Sequence, residues 1–153
     1  QHLQIPLIAA GGIATGKAMH AAMILGADGV QMGTRFAMTT ESSSHQNFKD
    51  TCVTAQEGDT YLTLKELAPV RLIRNKFFNE VQEAYSKCAT PDDLKALLGR
   101  ARAKRGMFEG DLEDGELEIG QIVGLINEIK SVSEVMNEII TDFEKSVATT
   151  FSF

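Results

Sequence analysis

IPLIAAGGIATGKAMHAAMILGADGVQMGTRF, residues 5–36, carries the strongest secondary-structure signals in the chain. Ile5 to Ala10 is a short apolar run without polar alternation, the pattern of a strand covered on both faces, and Gly11-Gly12 ends it. The period then changes. From Thr15 onward Ala18, Met19, Ala22, Met23 and Leu25 recur at helical spacing, with Thr15 placed as N-cap and Gly26 as the stop. A second short strand, Gly29 to Met32, ends at Gly33-Thr34. This is a βαβ unit, whose crossover is expected to be right-handed.

Both glycine turns follow the carboxyl end of a strand. In a parallel sheet they lie side by side on one rim, where a missing Cβ lets an anion approach the main chain. The helix starting near Thr15 would add the positive end of its dipole. A lone Gly-Gly is more often a tight turn than a ligand site. Two matched turns on consecutive strands argue for the ligand.

At these residues the sequence acquires a specific likeness. AAGGIATG followed by LGADGVQMGTRF resembles the last two strand-helix units of the flavin-dependent nitronate monooxygenases, formerly called 2-nitropropane dioxygenases. That family shares its barrel with the flavin-type enoyl-(acyl carrier protein) reductases. The resemblance continues through ESSSHQNFK, LAPVRLIRNKF and RAKRGMFEGDLEDGELEIGQIVGL, so it covers most of the chain. It implies an α/β fold, the C-terminal fragment of a TIM (β/α)8 barrel comprising its last two strand-helix units, followed by additional helices. Residues 1–56 would carry the barrel units and 57–153 a mostly helical extension packed on the barrel. It further implies that Gly11, Gly12, Gln31, Gly33 and Thr34 hold the phosphate of FMN, in keeping with the phosphate site that such barrels form after strands seven and eight. Gln121, in the Gly-Gln pair before a later helix, is a weaker candidate for contact with flavin or substrate.

Length bears on how much of an enzyme is present. The chain has 153 residues, 43% hydrophobic, with net charge −6 and a pI near 5.1, whereas a (β/α)8 barrel takes roughly 250 residues. Two core strands cannot close a barrel, and an open pair leaves edges that invite association. The expectation is a C-terminal part of a larger enzyme, completed by the remainder of the barrel or by a second chain, with a homo-oligomer also open. The acidic balance argues against nucleic acid and against an anionic membrane surface as main partner. With no signal peptide or long apolar span, a cytoplasmic location is expected. Cys52 and Cys88 lack neighbours at metal-ligand spacing and read as reduced structural thiols.

Further along, SSSHQNFKDTCVTAQ reads as a helix from about Ser43 or Ser44 with His45 in its first turn as a capping or solvated residue. His20 falls on the polar side of the crossover helix, and His2 lies in the terminus. Residues 58–64 suggest a short extended piece, after which Thr63 and Glu66 could form a capping box interrupted by Pro69. Arg71, Arg74 and Lys76 are either phosphate contacts or helix charges paired with Glu80 and Glu83. Phe77, Phe78, Val81, Ala84 and Tyr85 form the apolar stripe of a helix over 76–87. Thr90-Pro91-Asp92-Asp93 opens another, ending near Gly99.

The basic run Arg100, Arg102, Lys104 and Arg105 either steers an acidic substrate or carrier, or is a surface neutralised by the acids that follow. Those acids, from Glu109 to Glu118, fit no register of a calcium loop, so an exposed loop is expected and no metal site. An apolar helix over 122–129 follows. Ser131 and Glu134 cap a last helix to about Val147, with Val135, Ile139, Ile140 and Phe143 on one side, expected to pack across the outside of the protein.

The resemblance implies flavin redox chemistry on a small-molecule substrate. Electrons pass from a nitronate to FMN and on to molecular oxygen, giving a carbonyl compound and nitrite. The family's active-site histidine segment is absent from these residues, so no catalytic residue is assigned and the fragment alone is expected to be inactive. Two alternatives stand beside this reading: an FMN-dependent enoyl-(acyl carrier protein) reductase using NAD(P)H, and a non-catalytic segment that completes a barrel.

Overall fold

The computed structural model describes residues 4–149. His2 lies outside them. The contacts divide the chain into two compact units, one formed by residues 1–42 with 129–153 and the other by 43–128. This differs from a division at residue 56, because the last helix returns to the βαβ unit instead of joining the segment before it.

In the first unit, strand β1 (Ile8–Ala10) pairs in parallel with β2 (Gly29–Gln31) across helix α1 (Gly16–Ile24). Thr15 caps α1, its hydroxyl accepting from the Ala18 N–H at 3.1 Å. The helix ends in a Schellman motif: Gly26 takes the left-handed φ of 103°, Ala27 N–H donates to the Ala22 carbonyl and Gly26 N–H to that of Met23. Asp28 then locks the strand pair, since its carboxylate accepts from Leu7 N–H and its own N–H donates to the Leu7 carbonyl, both at 2.7 Å.

The strands are shorter than the apolar run suggests, and within this chain they are not covered on both faces. Ile5, Leu7 and Ile8 are exposed. Nor does the second strand end in a plain turn: Gly33 is the N-cap of a one-turn helix, α2 (Thr34–Ala37).

Helix α6 (Val132–Thr149) covers α1. Its capping pair forms as expected, with the Glu134 carboxylate accepting from both the hydroxyl and the N–H of Ser131. Val135 and Ile139 are buried, while Ile140 is exposed. Contact is closest at Gly16, where a Cβ would lie 2.1 Å from the Ile139 carbonyl oxygen and 2.2 Å from the Phe143 nitrogen. His20 is accordingly not on a solvated face. It is half-buried, with Nδ1 2.9 Å from the Ser146 hydroxyl and its ring edge-on to Phe143.

The second unit begins with α3 (Gln46–Thr54), two or three residues later than expected, because His45 is the N-cap: its Nδ1 accepts from Asn47 N–H at 3.1 Å. Strands β3 (Thr60–Thr63) and β4 (Val70–Ile73) form an antiparallel pair, Thr60 opposite Ile73 and Thr63 opposite Val70. The turn between them contains no capping box. Thr63 accepts from the Gln82 amide and Glu66 accepts from the Tyr85 hydroxyl at 2.7 Å. Arg71 therefore sits on a strand, donating to the Thr60 carbonyl at 2.7 Å, and Arg74 lies over the Tyr61 ring.

Helices α4 (Lys76–Ser86) and α5 (Pro91–Leu98) follow as read, the second with a complete Thr90–Asp93 capping box and a stop at Gly99. Leu64, Leu72, Phe77, Phe78, Val81 and Leu94 make their common core. The helix expected over 122–129 is only a short 3₁₀ turn, Gln121–Leu125. Gly120 before it and Gly124 within it disfavour propagation of an α-helix through the apolar residues there.

Candidate functional site

Whether the two glycine turns can act together depends on strand direction and register. Ala10 pairs with Gln31 in a parallel ladder, so both strands run out at the same edge, one into Gly11-Gly12 and the other into Met32-Gly33-Thr34. Gly11 and Gly12 take φ of 94° and 69°, in the region where a side chain is strained. A Cβ built on Gly11, Gly12 or Gly33 would meet nothing within 4 Å, so the space above these peptides is open. Gln31 and Gly33 are exposed at the same edge and Thr34 is half-buried.

The part expected of α1 is different. Of its first-turn donors, Lys17 N–H is taken by the Asp142 carboxylate at 2.7 Å and Ala18 N–H by Thr15. A carboxylate of α6 thus already occupies the positive end of α1. The open space at this edge lies at the glycine turns.

Sequence reasoning passed over Arg35, next to this rim. Its guanidinium is largely buried and pairs with Glu138 of α6 at 2.6 Å, and Glu138 also meets Lys130. Arg35 Nε is buried without a hydrogen-bond partner among the described residues. The pair ties α2, and with it Gly33, to the last helix. Its sequence signal was an arginine directly after Gly-Thr and a glutamate about a hundred residues away, a pairing that spacing cannot reveal.

The remaining candidates sit elsewhere. Gln121 is exposed in the second unit, at the start of the 3₁₀ turn. In the basic run, Lys104 pairs with Glu109 at 2.9 Å and Arg105 with Asp111 at 2.5 Å, while Arg102 donates to the carbonyls of Leu97, Leu98 and Asp114 and lies over Phe77. These side chains hold the chain together. The acidic stretch is not uniformly exposed, for Glu116 and Leu117 are buried. Burial pushes the Cys52 thiol up to about 12, as befits an inert core residue, and Cys88 is exposed. Among the described residues no group of histidine, cysteine or carboxylate side chains is arranged to hold a metal, and no helix is long and apolar enough to cross a membrane.

Comparison with known proteins agrees on one lineage. A family model described as nitronate monooxygenase matches residues 1–142. A "probable nitronate monooxygenase" of Staphylococcus saprophyticus is 33% identical over 88% of this chain and 41% of its own length, and one of Bacillus subtilis is 32% identical over 90% and 40%. The chain thus spans about two fifths of the curated relatives it matches. Among solved structures, FabK from Thermotoga maritima superposes with a TM-score of 0.87 at 41% identity, covering 95% of this chain and 46% of that one. Nitroalkane oxidase from Streptomyces ansochromogenes superposes with a TM-score of 0.75 at 27% identity, covering 95% and 41%.

Proposed function

Because the chain belongs to the nitronate monooxygenase family, we propose that Gly11, Gly12, Gln31, Gly33 and Thr34 form the phosphate-gripping part of an FMN site in an enzyme that oxidises nitronates to carbonyl compounds and nitrite. The observation that carries this reading is the parallel register of Ala10 with Gln31, which sets two open glycine turns at one edge. Main-chain N–H groups without a Cβ in front of them suit a dianionic phosphate, and the open space above Gly11, Gly12 and Gly33 leaves room for such a group. Bound FMN would supply the electron-accepting chemistry. The residues of this chain would anchor and orient it, with Arg35 and Glu138 holding the second turn in place.

The exposed apolar residues Ile5, Leu7 and Ile8 on β1 and beside it support the further reading that other strands cover this sheet in the working enzyme, supplied by the remainder of a barrel or by a second chain. A flavin site completed by those strands would leave residues 1–153 alone with weak FMN affinity and no turnover.

A second reading rests on the greater identity to FabK than to nitroalkane oxidase. It is a flavin-dependent enoyl-(acyl carrier protein) reductase that uses the same rim. Nitrite release from a nitronate separates the first reaction from NAD(P)H oxidation with an enoyl thioester.

The rim itself is tested by titrating residues 1–153 with FMN and with riboflavin, which lacks the phosphate, while following backbone amide resonances. FMN should shift Gly11, Gly12, Gly33 and Thr34, riboflavin should not, and Gly12→Val should abolish the response. Equal effects of the two flavins, or shifts confined to other residues, would overturn the assignment.

A further inference from the structure

Residues 116–119 run beside β4 as a third, short extended segment. Ile73 N–H donates to the Leu117 carbonyl and Ile119 N–H to the Arg71 carbonyl, both at 3.1 Å, around a bridge between Leu72 and Glu118. Leu117 and Ile119 are buried. In an extended segment the side chains of Glu116 and Glu118 share the other face, and there the chemistry is unusual. Glu116 is only 5% exposed, yet among the described residues its carboxyl has neither a hydrogen bond nor an ion pair. The short π-helix Lys104–Phe108 lies so close that a Cβ on its Gly106 would fall 2.5 Å from the Glu116 carbonyl oxygen.

The cations nearby are engaged with other groups. Arg102, whose charge reaches Glu116 and partly offsets the upward push on its carboxyl, makes its hydrogen bonds to the carbonyls of Leu97, Leu98 and Asp114 instead. Lys104 and Arg105 pair with Glu109 and Asp111, Arg71 donates to Thr60, and Lys76 pairs with Asp114. The remaining charge facing Glu116 is Glu118, of like sign.

We propose that residues 116–119 are a pH-sensitive flap, closed on β4 while the Glu116 carboxyl carries its proton and loosened when that proton leaves. The segment lies between Gly115 and Gly120 and leads directly into the Gln121 turn. Opening it would therefore displace Gln121, whether or not that residue meets a flavin.

The direction follows from linkage. In the closed flap, burial first and Glu118 second push the Glu116 carboxyl up to about 7, and in the opened flap it returns towards the ordinary value of about 4.3. A group whose pKa is raised in the closed form favours closure fully below its open-form pKa. That advantage is lost as pH rises through the closed-form value, and little further change follows above it.

The test is amide hydrogen exchange on residues 1–153 between about pH 5 and pH 7.5, corrected for the intrinsic rate. Ile73 and Ile119, whose N–H groups join the flap to β4, are compared with Cys52 in α3 of the same unit. Protection of the first two should fall at least about ten-fold across this range, while Cys52 holds. Burial also raises the Glu118 carboxyl, so Glu116→Gln should remove most of the fall and leave only what Glu118 contributes. Glu118→Gln, which removes the like charge together with that second titration, should shrink the fall and complete it at lower pH. A flat wild-type profile, a fall undiminished in Glu116→Gln, or a Cys52 amide that loosens in step would overturn the proposal. Should Glu116→Gln fail to fold, an unshifted profile in Glu118→Gln would overturn it equally.

Discussion

Replacing Gly16 by alanine tests the packing on which the first unit depends. The new methyl would be placed 2.1 Å from the Ile139 oxygen, 2.2 Å from the Phe143 nitrogen and 2.9 Å from the Asp142 carbonyl carbon, all of them backbone atoms that no rotamer change can move. Comfortable contacts between heavy atoms lie at about 3.5 Å, so α1 and α6 must part by about 1 Å or more. Parting them strains the Lys17 N–H bond to the Asp142 carboxylate and the contact of His20 with Ser146.

Overpacking of this kind costs about 1–3 kcal/mol, and loss of a hydrogen bond to a charged group about 1.5–3 kcal/mol. The helix propensity of alanine returns less than about 1 kcal/mol. Because the terms share one displacement they do not add fully, and a net loss of about 3 kcal/mol is expected. For a chain of this size that lowers Tm by about 6–12 °C. Differential scanning calorimetry gives the shift, and the His20 and Ile139 resonances show whether the change is local to the α1–α6 contact. An unchanged Tm with unchanged His20 resonances would refute the reasoning, for it would mean that the helices do not meet backbone to backbone at this point.

Asn75→Ala should destabilise the second unit by about 2–4 kcal/mol, measured by urea denaturation, because it leaves Phe78 N–H and the carbonyls of Leu112 and Gly115 without the partner they share in this one side chain. A maleimide at pH 8 should label Cys88 within minutes, and label Cys52, fully buried with its thiol pushed up to about 12, only after denaturant is added. Mass spectrometry of the labelled peptides reads both, and rapid double labelling of the folded chain would contradict the burial of α3.

The elements legible in the sequence were those whose signals are local. Thr15 with Gly26, Thr90-Pro91 with Gly99, and Ser131 with Glu134 bound their helices as the capping rules require, because a cap is satisfied within four residues. The alternation at Thr60 to Thr63 was visible, but its partner was not. Arg71 in β4 and Arg74 just after it resemble solvated helix charges in sequence, and it takes the distant Thr60 carbonyl to explain Arg71. His20 was misread for the same reason: what buries it is α6, more than a hundred residues away.

The rim shows both sides of this limit. That two glycine turns follow two strands is written in residues 5–36, and the parallel ladder joins them as the spacing implies. What spacing could not supply is the source of the anion-attracting field. The helix after the first turn would ordinarily be credited, yet Asp142 occupies its positive end and donates nothing to a phosphate. The second turn, by contrast, is braced by a cation, Arg35, whose charge Glu138 partly cancels. With both nearby charges balanced by α6, the grip on the phosphate in the proposed FMN site would fall to main-chain N–H groups, whose geometry depends on left-handed φ at Gly11 and Gly12 and on an open peptide at Gly33. A site built this way discriminates by shape more than by charge. It should therefore tolerate added salt better than a lysine-based phosphate site, and fail on any substitution that adds a Cβ at Gly11 or Gly12.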